Sequence, residues 1–164
     1  MAQEESPEEL LRRTMEFVAQ HRANYIASGG AQGHIMDMSH AGFNGMCPTL
    51  LLRTIGRKSG NPLIIPLIYG VMGGEWIVVA SKGGAPDHPA WLLNLKERKD
   101  AQFQVASQCF EGSWRIAEGD ERETVWSYMT RVFPPYGDYQ QSAGGRVIPL
   151  VLLRPSAQIE PFKA

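Results

Sequence analysis

A short basic turn between two apolar segments is the feature of this sequence best suited to binding an anion. The turn has the sequence Gly56-Arg57-Lys58-Ser59-Gly60. Its glycines permit a tight bend that points backbone N–H groups outward, while Arg57 and Lys58 add charge and Ser59 adds a hydroxyl. Such a loop suits a phosphate, because each charged hydrogen bond contributes about 1.5–3 kcal/mol. The alternative is a hairpin tip whose basic side chains only face water, and the turn alone does not separate the two.

A glycine pair between a strand and a helix is the second candidate site. The segment runs from Ala80 through Lys82-Gly83-Gly84 to Trp91. A planar ligand can lie against glycine backbone because no side chain obstructs it, and Lys82 with the following helix N-terminus favours negative charge. We expect Asp87 to cap that helix. The alternative is an ordinary strand-to-helix loop with Trp91 in the core.

Two tyrosines beside a proline pair are candidates for proton-donating groups. Tyr136 and Tyr139 follow Pro134-Pro135, and a spacing of three places them on one face if the segment is helical. A phenol can donate a proton once a hydride has arrived, although simply packed tyrosines are the more common arrangement. The segment from His34 to His40 contains metal-capable side chains without a recognised ligand spacing, so we predict no metal site.

These candidates depend on elements that the sequence pattern also predicts. Ser6, Pro7 and Glu9 form a helix-start signature, and apolar residues at helical spacing follow until Gly29-Gly30. Further helices are predicted at about residues 90–99 and 118–131. Strands are predicted at residues 49–55, 62–69, 75–81, 101–107, 110–117 and 146–154. Six strands in mostly adjacent order, with inserted helices, predict an antiparallel barrel of the α+β class.

Length and composition narrow the possible functions. The chain has 164 residues, of which 43% are hydrophobic and 20% charged. We therefore predict one globular domain over residues 1–164, with an N-terminal helix in 1–30, a connector in 31–48 and the barrel core in 49–155. A net charge of -1 argues against a nucleic-acid partner. Two cysteines without ligand spacing predict buried or partly buried free thiols.

The N-terminus is acidic, and no apolar run approaches the length of a membrane span. These features predict a cytoplasmic protein with no signal peptide and no transmembrane segment. Peripheral contact with a membrane and the oligomeric state stay open.

Several segments in a fixed order carry a family resemblance. They are Thr49–Ile55 with the following basic turn, Pro66–Tyr69, Val78–Gly84, His88–Trp91, Phe133–Tyr136 with Tyr139-Gln140, and Ile148–Val151. Together they resemble the deazaflavin-dependent nitroreductase family over about Leu50 to Pro155. The resemblance implies a split β-barrel related to flavin reductases, and reduced coenzyme F420, an 8-hydroxy-5-deazaflavin, as hydride donor. The implied partner is a small-molecule acceptor: a quinone, a nitroaromatic or an activated enone. Residues Gly42 to Pro48 depart from the family pattern, so the acceptor is the least defined part.

The resemblance also implies roles for individual residues. Those implied around the cofactor's phosphate and acidic tail are Arg57, Lys58, Ser59 and Gly60. Those implied around its ring are Ile65, Pro66, Leu67, Val79, Ala80, Ser81, Lys82, Gly83, Gly84 and Trp91. Those implied on the substrate side or as proton donors are Tyr136, Tyr139, Ser81 and Tyr69. The N-terminal helix is expected to close over the acceptor pocket.

Two other functions fit the same residues. An FMN-dependent reductase or oxidase on the same barrel would use the same basic turn for its phosphate. The acidic tail of F420 would favour further basic neighbours such as Lys82 and Arg53. A non-enzymatic protein would bind a cofactor or a tetrapyrrole without turnover.

Overall fold

Seven strands and four α-helices make up the described part of the chain, residues 4–98 and 100–164 of a computed structural model. In chain order they are α1 (Pro7–Ala27), β1 (Ile35–Asp37), β2 (Met46–Ile55), β3 (Pro62–Met72), β4 (Glu75–Val79), α2 (Ala90–Lys96), β5 (Asp100–Val105), β6 (Gln108–Ile116), α3 (Gly119–Val132), α4 (Pro135–Ser142) and β7 (Leu150–Ile159). Short 3-10 turns occupy Ser39–Ala41 and Lys82–Gly84.

Strands β2 to β7 close into an antiparallel barrel. Their order is β2-β3-β4-β7-β6-β5, and β5 pairs back onto β2. Leu51 of β2 lies opposite Pro66 of β3, and Leu52 lies opposite Phe103 of β5. The short β1 pairs with the first residues of β2. The α+β class and the antiparallel barrel predicted from the sequence are confirmed.

Strand alternation divides the apolar residues between the inside and the outside of this barrel. In β7, Val151 and Leu153 join a cluster that draws on all six barrel strands and is closed by Trp91, Leu92 and Leu95 of α2. Their neighbours Leu150 and Leu152 point to the other face and pack with α3 and α4. Successive strand residues face opposite sides of a sheet, so each buried strand serves two cores. The outer core is the one that borders the candidate site.

The start of α1 follows the sequence prediction. Ser6 Oγ accepts a hydrogen bond from Glu9 N at 3.2 Å, and the Glu9 carboxylate accepts one from Ser6 N at 2.9 Å. Pro7 occupies the first turn. The predicted capping box is confirmed.

The prediction that Asp87 caps α2 is wrong. The helix begins after Pro89, and no side chain bonds its first N–H groups. The Asp87 carboxylate instead accepts a hydrogen bond from Lys82 Nζ at 2.7 Å. An oppositely charged partner five residues upstream competes successfully with the helix end for this carboxylate.

The last strand begins at Leu150 rather than at Arg146, although Val147 and Ile148 favour a strand. The Gln140 side chain donates to Arg146 O at 2.6 Å and accepts from Ile148 N at 2.9 Å. In a strand, the carbonyl of Arg146 and the N–H of Ile148 would bond to a neighbouring strand. Because Gln140 of α4 bonds them instead, residues 146–148 do not form a strand despite their β propensity. In the stretch predicted as a connector, the structure has β1 and the start of β2.

The two cysteines, Cys47 and Cys109, are buried free thiols, as predicted. Burial raises the pKa of both, that of Cys109 to about 11. Within residues 4–98 and 100–164, no helix combines the length and apolarity needed to cross a membrane.

Candidate active site

A pocket of about 190 Å³ lies on the outer face of the barrel, bounded by β3, β4, α4, and a cover formed by α1 and residues 36–41. It brings together seven of the residues implied by the resemblance, which are Pro66, Leu67, Val79, Ser81, Gly83, Tyr136 and Tyr139. The other lining residues are Val18, Met36, Met38, His40, Ala41, Ile68 and Phe133. The wall is mainly apolar, and its few polar groups are hydroxyls and one imidazole, a composition typical of sites for small organic ligands.

The hydroxyls in this pocket lack protein partners. Of the five tyrosines, Tyr25, Tyr69 and Tyr128 each have the hydroxyl hydrogen-bonded to another residue. In the described residues no protein group bonds the hydroxyl of Tyr136, Tyr139 or Ser81, yet no buried polar side-chain atom is left unsatisfied. The three hydroxyls therefore keep accessible surface on residues that line the pocket, where they can bind a ligand oxygen.

Burial sets the acid–base character of the two pocket tyrosines. Tyr136 is only 4% exposed, and burial raises its pKa far above the ordinary phenol value. Burial also raises the pKa of Tyr139, to which nearby Asp138 contributes. Removing a phenol from water disfavours its anion. Both hydroxyls consequently remain protonated near neutral pH and act as hydrogen-bond donors.

Helix α4 positions these tyrosines. Pro135 occupies its first turn, and residues 136 and 139, three apart, lie on the same face, with the ring centroids 6.3 Å apart. This confirms the shared face expected for a helical segment. Tyr136 also packs edge-on against Phe133, at 4.9 Å between centroids.

A close approach at Gly84 holds α4 against the glycine-pair loop. Gly84 has φ +83°, and a Cβ built there would lie 2.2 Å from Ser142 Oγ and 2.8 Å from Tyr139 Cα. The Ser142 hydroxyl donates to Gly84 O at 3.2 Å. Only glycine permits both this backbone conformation and this distance. The contact places Ser81 and Gly83 in the same pocket as the tyrosines.

Arg146 fixes the loop from the other side. Its guanidinium donates to Ala80 O at 3.0 Å, to Ser81 O at 2.9 Å and to Ala85 O at 2.8 and 3.1 Å. It also contacts His88 Nδ1 at 3.1 Å. Five donors in a planar fork suit several carbonyls at once. Arg146 thus fixes the backbone that carries Ser81 and Gly83.

Sequence reasoning placed Arg146 at the start of a strand and missed this role. Its partners are 58 to 66 residues away. No local spacing relates such distant positions. The only available signal was an arginine directly after the glycine pair Gly144-Gly145, which is too common to be specific.

The basic turn, which connects β2 to β3, forms one side of a separate groove. Residues Gly56, Arg57, Lys58, Ser59 and Gly60 line it together with Glu97 and Arg98. Arg57 donates from its backbone N and from its guanidinium to Asn94 Oδ1, at 3.1 Å each. Asn94 is buried and donates to Thr54 Oγ1 at 3.1 Å. Helix α2 therefore holds the turn, and Lys58 stays exposed without a partner among the described residues.

The groove and the pocket fit the two ends of a phosphate-bearing ring cofactor. The groove lies at the turn before β3 and the pocket is lined by Pro66 and the two residues after it, and the four-residue advance from Pro62 to Pro66 spans about 13 Å. Gly83 lines the pocket, and a Cβ built there would meet no atom within 4 Å, so open space lies beside this backbone for a planar ring. Arg57, Lys58 and Arg98 supply positive charge for the anionic part. Lys82 and Arg53, the other basic neighbours suggested by the sequence, are bonded to Asp87 and Gln102.

Several residues implied by the resemblance lie outside the pocket wall. Tyr69, Ala80 and Trp91 are buried in the barrel interior, and Ile65 packs against the same cluster. The Tyr69 hydroxyl is 2.5 Å from His34 Nε2. The structure does not bring the Tyr69 hydroxyl or the Trp91 ring to the open space where the other candidates meet.

Comparisons with known proteins identify the family of this chain. Residues 18–155 match the family model for F420H(2)-dependent quinone reductase. An F420H(2)-dependent quinone reductase of Mycobacterium tuberculosis is 30% identical over 135 residues, covering 81% of this chain and 86% of that protein. Another protein of that organism is 38% identical over 117 residues, covering 70% of this chain and 96% of its own length.

Solved structures give the same result. An F420-H2-dependent reductase, FDR-A, superposes with a TM-score of 0.59 at 35% identity, covering 65% of this chain and 94% of that one. The split barrel implied by the resemblance is thereby confirmed. On the family match, this chain belongs to the F420H(2)-dependent quinone reductase family.

Proposed function

We propose that this protein transfers a hydride from reduced F420 to a quinone, with the pocket on the outer face of the barrel as the reaction site. Family membership supports the chemistry. The observation that carries the location is the set of three hydroxyls, on Ser81, Tyr136 and Tyr139, that line the pocket and have no protein partner among the described residues. We also propose that the protein is cytoplasmic, as the sequence predicts.

The chain's own residues bind and orient the cofactor. Arg57, Lys58, Ser59 and Gly60 would hold its phosphate and acidic tail, with Arg98 as a neighbour missed in the sequence. Pro66, Leu67, Val79 and Gly83 would contact its ring. When bound, a deazaflavin supplies two electrons as a hydride, so the protein needs mainly to position it and to exclude water. Arg146 contributes by fixing the loop carbonyls on which Ser81 and Gly83 depend.

The pocket hydroxyls stabilise charge on the acceptor. A quinone that accepts a hydride develops negative charge on an oxygen, and preorganised donors in a site protected from water lower the energy of that state. Tyr136 and Tyr139 can donate to this oxygen because burial raises the pKa of both phenols and keeps them protonated. Ser81 is the third donor.

The cover over the pocket is expected to move when both ligands bind. The present volume of about 190 Å³ is below the range of about 300–1,000 Å³ that is usual for ligand sites. The barrel wall of β3 and β4 is the rigid side, whereas Val18, Met36, Met38 and His40 belong to the cover. The ring therefore belongs against the strands, and the acceptor belongs on the side of the cover.

The test is turnover with defined cofactors. Purified protein is mixed anaerobically with reduced F420 and a water-soluble quinone, and the return of the oxidised deazaflavin absorbance is followed. Binding of F420 and FMN is titrated in parallel at two salt concentrations. The proposal predicts turnover and salt-sensitive F420 binding. Tight FMN binding with no F420 binding would support the flavin alternative, and F420 binding without turnover of any acceptor would support a non-enzymatic protein.

A further inference from the structure

The reduction of a quinone needs a proton as well as a hydride, and the pocket tyrosines are poor sources of it. A hydroquinone oxygen is a phenol with an ordinary pKa of about 10. Burial raises the pKa of Tyr136 above the ordinary phenol value, which disfavours proton transfer from Tyr136 to the acceptor oxygen. Ser81 is an alcohol and is a still weaker acid. These groups suit hydrogen bonding, and the proton requires another donor.

His40 is the one imidazole among the described residues that line the pocket. It lies in the 3-10 turn Ser39–Ala41 on the cover, which is the acceptor side. Its ring packs against Phe17 of α1, with centroids 4.5 Å apart, and is half-buried. An imidazole in this position can give up a proton to the pocket and regain one from water.

Hydrogen bonding orients the ring of His40. Its Nδ1 is 3.1 Å from Asp37 O. A carbonyl oxygen only accepts, so Nδ1 must carry the proton of that bond. Nε2 has no protein partner in the described part of the chain, which leaves it as the nitrogen that can serve a ligand. The backbone of Asp37 thus fixes which ring nitrogen is available.

We propose that His40 is the general acid that protonates the quinone oxygen after hydride transfer. The hydride carries two electrons and one proton from the reduced cofactor to the quinone, so the cofactor is oxidised and the quinone reduced. The Nε2–H bond of the imidazolium breaks and an O–H bond forms, leaving a neutral imidazole and a hydroquinone. Water then returns a proton to the imidazole. The reduced cofactor also releases one proton to water when it loses the hydride, so the number of protons is the same before and after the reaction. This step rests on the proposed quinone reduction at the same site.

Four charged or titratable groups face His40 from the elements packed around it. From β1, the carboxyl of Asp37 has its pKa lowered by hydrogen bonds from Ser39 and stays ionised. From α1, burial lowers the pKa of His21, and the nearby His40 lowers it further. From α4, the pKa values of Tyr136 and Tyr139 are raised. An imidazolium donor makes the rate fall as pH rises through the range in which imidazoles lose their proton.

The experiment compares His40→Gln with His21→Gln in the full chain. His21 is a neighbouring histidine outside the pocket wall, bonded to Thr49 Oγ1 at 3.2 Å, and it serves as the matched control. For each protein we measure the dissociation constant of F420, and kcat with a soluble quinone between pH 5 and 9. The variants are also assayed with and without added imidazole.

The expected result is specific to proton donation. His40→Gln lowers kcat about 100-fold at neutral pH, removes the fall in rate with rising pH, leaves F420 binding within about twofold, and regains activity with imidazole. His21→Gln keeps the pH profile of the parent. A His40→Gln enzyme with the parent's rate or pH profile, or with a loss that imidazole does not restore, overturns the assignment. A parent that reduces no quinone contradicts the proposed function instead.

Discussion

The interior of the barrel and the pocket on its outer face are built from the same strands but differ in how their polar groups are used. Inside, the Tyr69 hydroxyl is bonded to His34, and Phe103, Leu50 and Trp91 fill the remaining space. Outside, the hydroxyls of Tyr136, Tyr139 and Ser81 have no partner in residues 4–98 and 100–164. The first region bonds its hydroxyl within the protein, whereas the second presents hydroxyls that can bond a ligand.

The difference shows how this barrel combines stability with a binding site. A buried polar group must be bonded, or it costs free energy. The interior satisfies that condition through bonds within the protein, and the pocket satisfies it by leaving its hydroxyls in contact with open space. Substitutions inside should therefore change stability, while substitutions at the pocket hydroxyls should change ligand binding and turnover.

The largest expected effect would come from breaking the contact that assembles the pocket. Gly84→Ala places a methyl group 2.2 Å from Ser142 Oγ and forces an unfavourable φ, so we expect the free energy of unfolding to fall by about 3 kcal/mol. The control is Gly73→Ala, at φ +59° with no atom within 4 Å. It carries the backbone cost alone, about 1 kcal/mol. Chemical denaturation of both variants checks the difference, and equal losses would show that α4 adapts freely.

A second substitution removes the clamp on the pocket loop. Arg146→Met deprives the carbonyls of Ala80, Ser81 and Ala85 of a donor. We expect the free energy of unfolding to fall by about 2 kcal/mol and kcat to fall as well. In Arg146→Lys less than half of each loss should be recovered, because an ammonium group cannot reach all the carbonyls. Arg131→Met, at an exposed residue of α3, is the control. If kcat is unchanged in Arg146→Met, the loop does not depend on this arginine for its active position.

The basic groove offers a sharper test, because its two charges differ in their contacts. Lys58→Ala should raise the dissociation constant of F420 about 10-fold, corresponding to about 1.4 kcal/mol, and should leave stability unchanged. Arg57→Ala should weaken binding as well and also destabilise the protein, since Asn94 Oδ1 loses the guanidinium donor and keeps only the backbone N–H of residue 57. Titrations at low and high salt and thermal melts measure both quantities, with exposed Lys163→Ala as the control. Parent-like binding by both variants would mean that the turn only joins two strands.

The smallest expected effect separates the two classes of tyrosine. Tyr136→Phe should lower kcat about 10-fold, because the acceptor loses one hydrogen bond in the transition state, and should change the stability little. Tyr69→Phe should lose about 1 kcal/mol of stability, because His34 loses a partner 2.5 Å away, while kcat stays near the parent value. Steady-state kinetics and denaturation of both proteins test this. A reversed pattern would place the reacting ligands in the barrel interior.

Much of this fold could be predicted from local patterns. The capping box at Ser6 and Glu9 joins residues only three positions apart, and the strand patterns in 62–69 and 75–81 depend only on near neighbours. The serial order of strands then predicted an antiparallel barrel. Helix α4 was harder, because its prolines and Gly137 weaken the helical signal and its stability comes from packing against Phe133 and the loop at Gly84.

The candidate site could be predicted only in part. The glycine loop, the basic turn and Tyr136 with Tyr139 were identified by residue type and spacing together with the family resemblance. The sequence also suggested Tyr69 and Trp91, which the barrel turns inward. Strand register determines which face a residue points to, and a shift of one position reverses it.

By itself the sequence determined the class of the fold, the family and the segments that could bind an anion and a ring. Only the tertiary structure decided that Arg146 holds the pocket loop, that His40 is the histidine lining the pocket among the described residues, and which pocket hydroxyls have no protein partner in that part of the chain. The physical reason is that periodicity and capping act over a few residues, whereas the partner of each polar group is chosen among side chains and carbonyls that the fold brings together from more than 50 residues away.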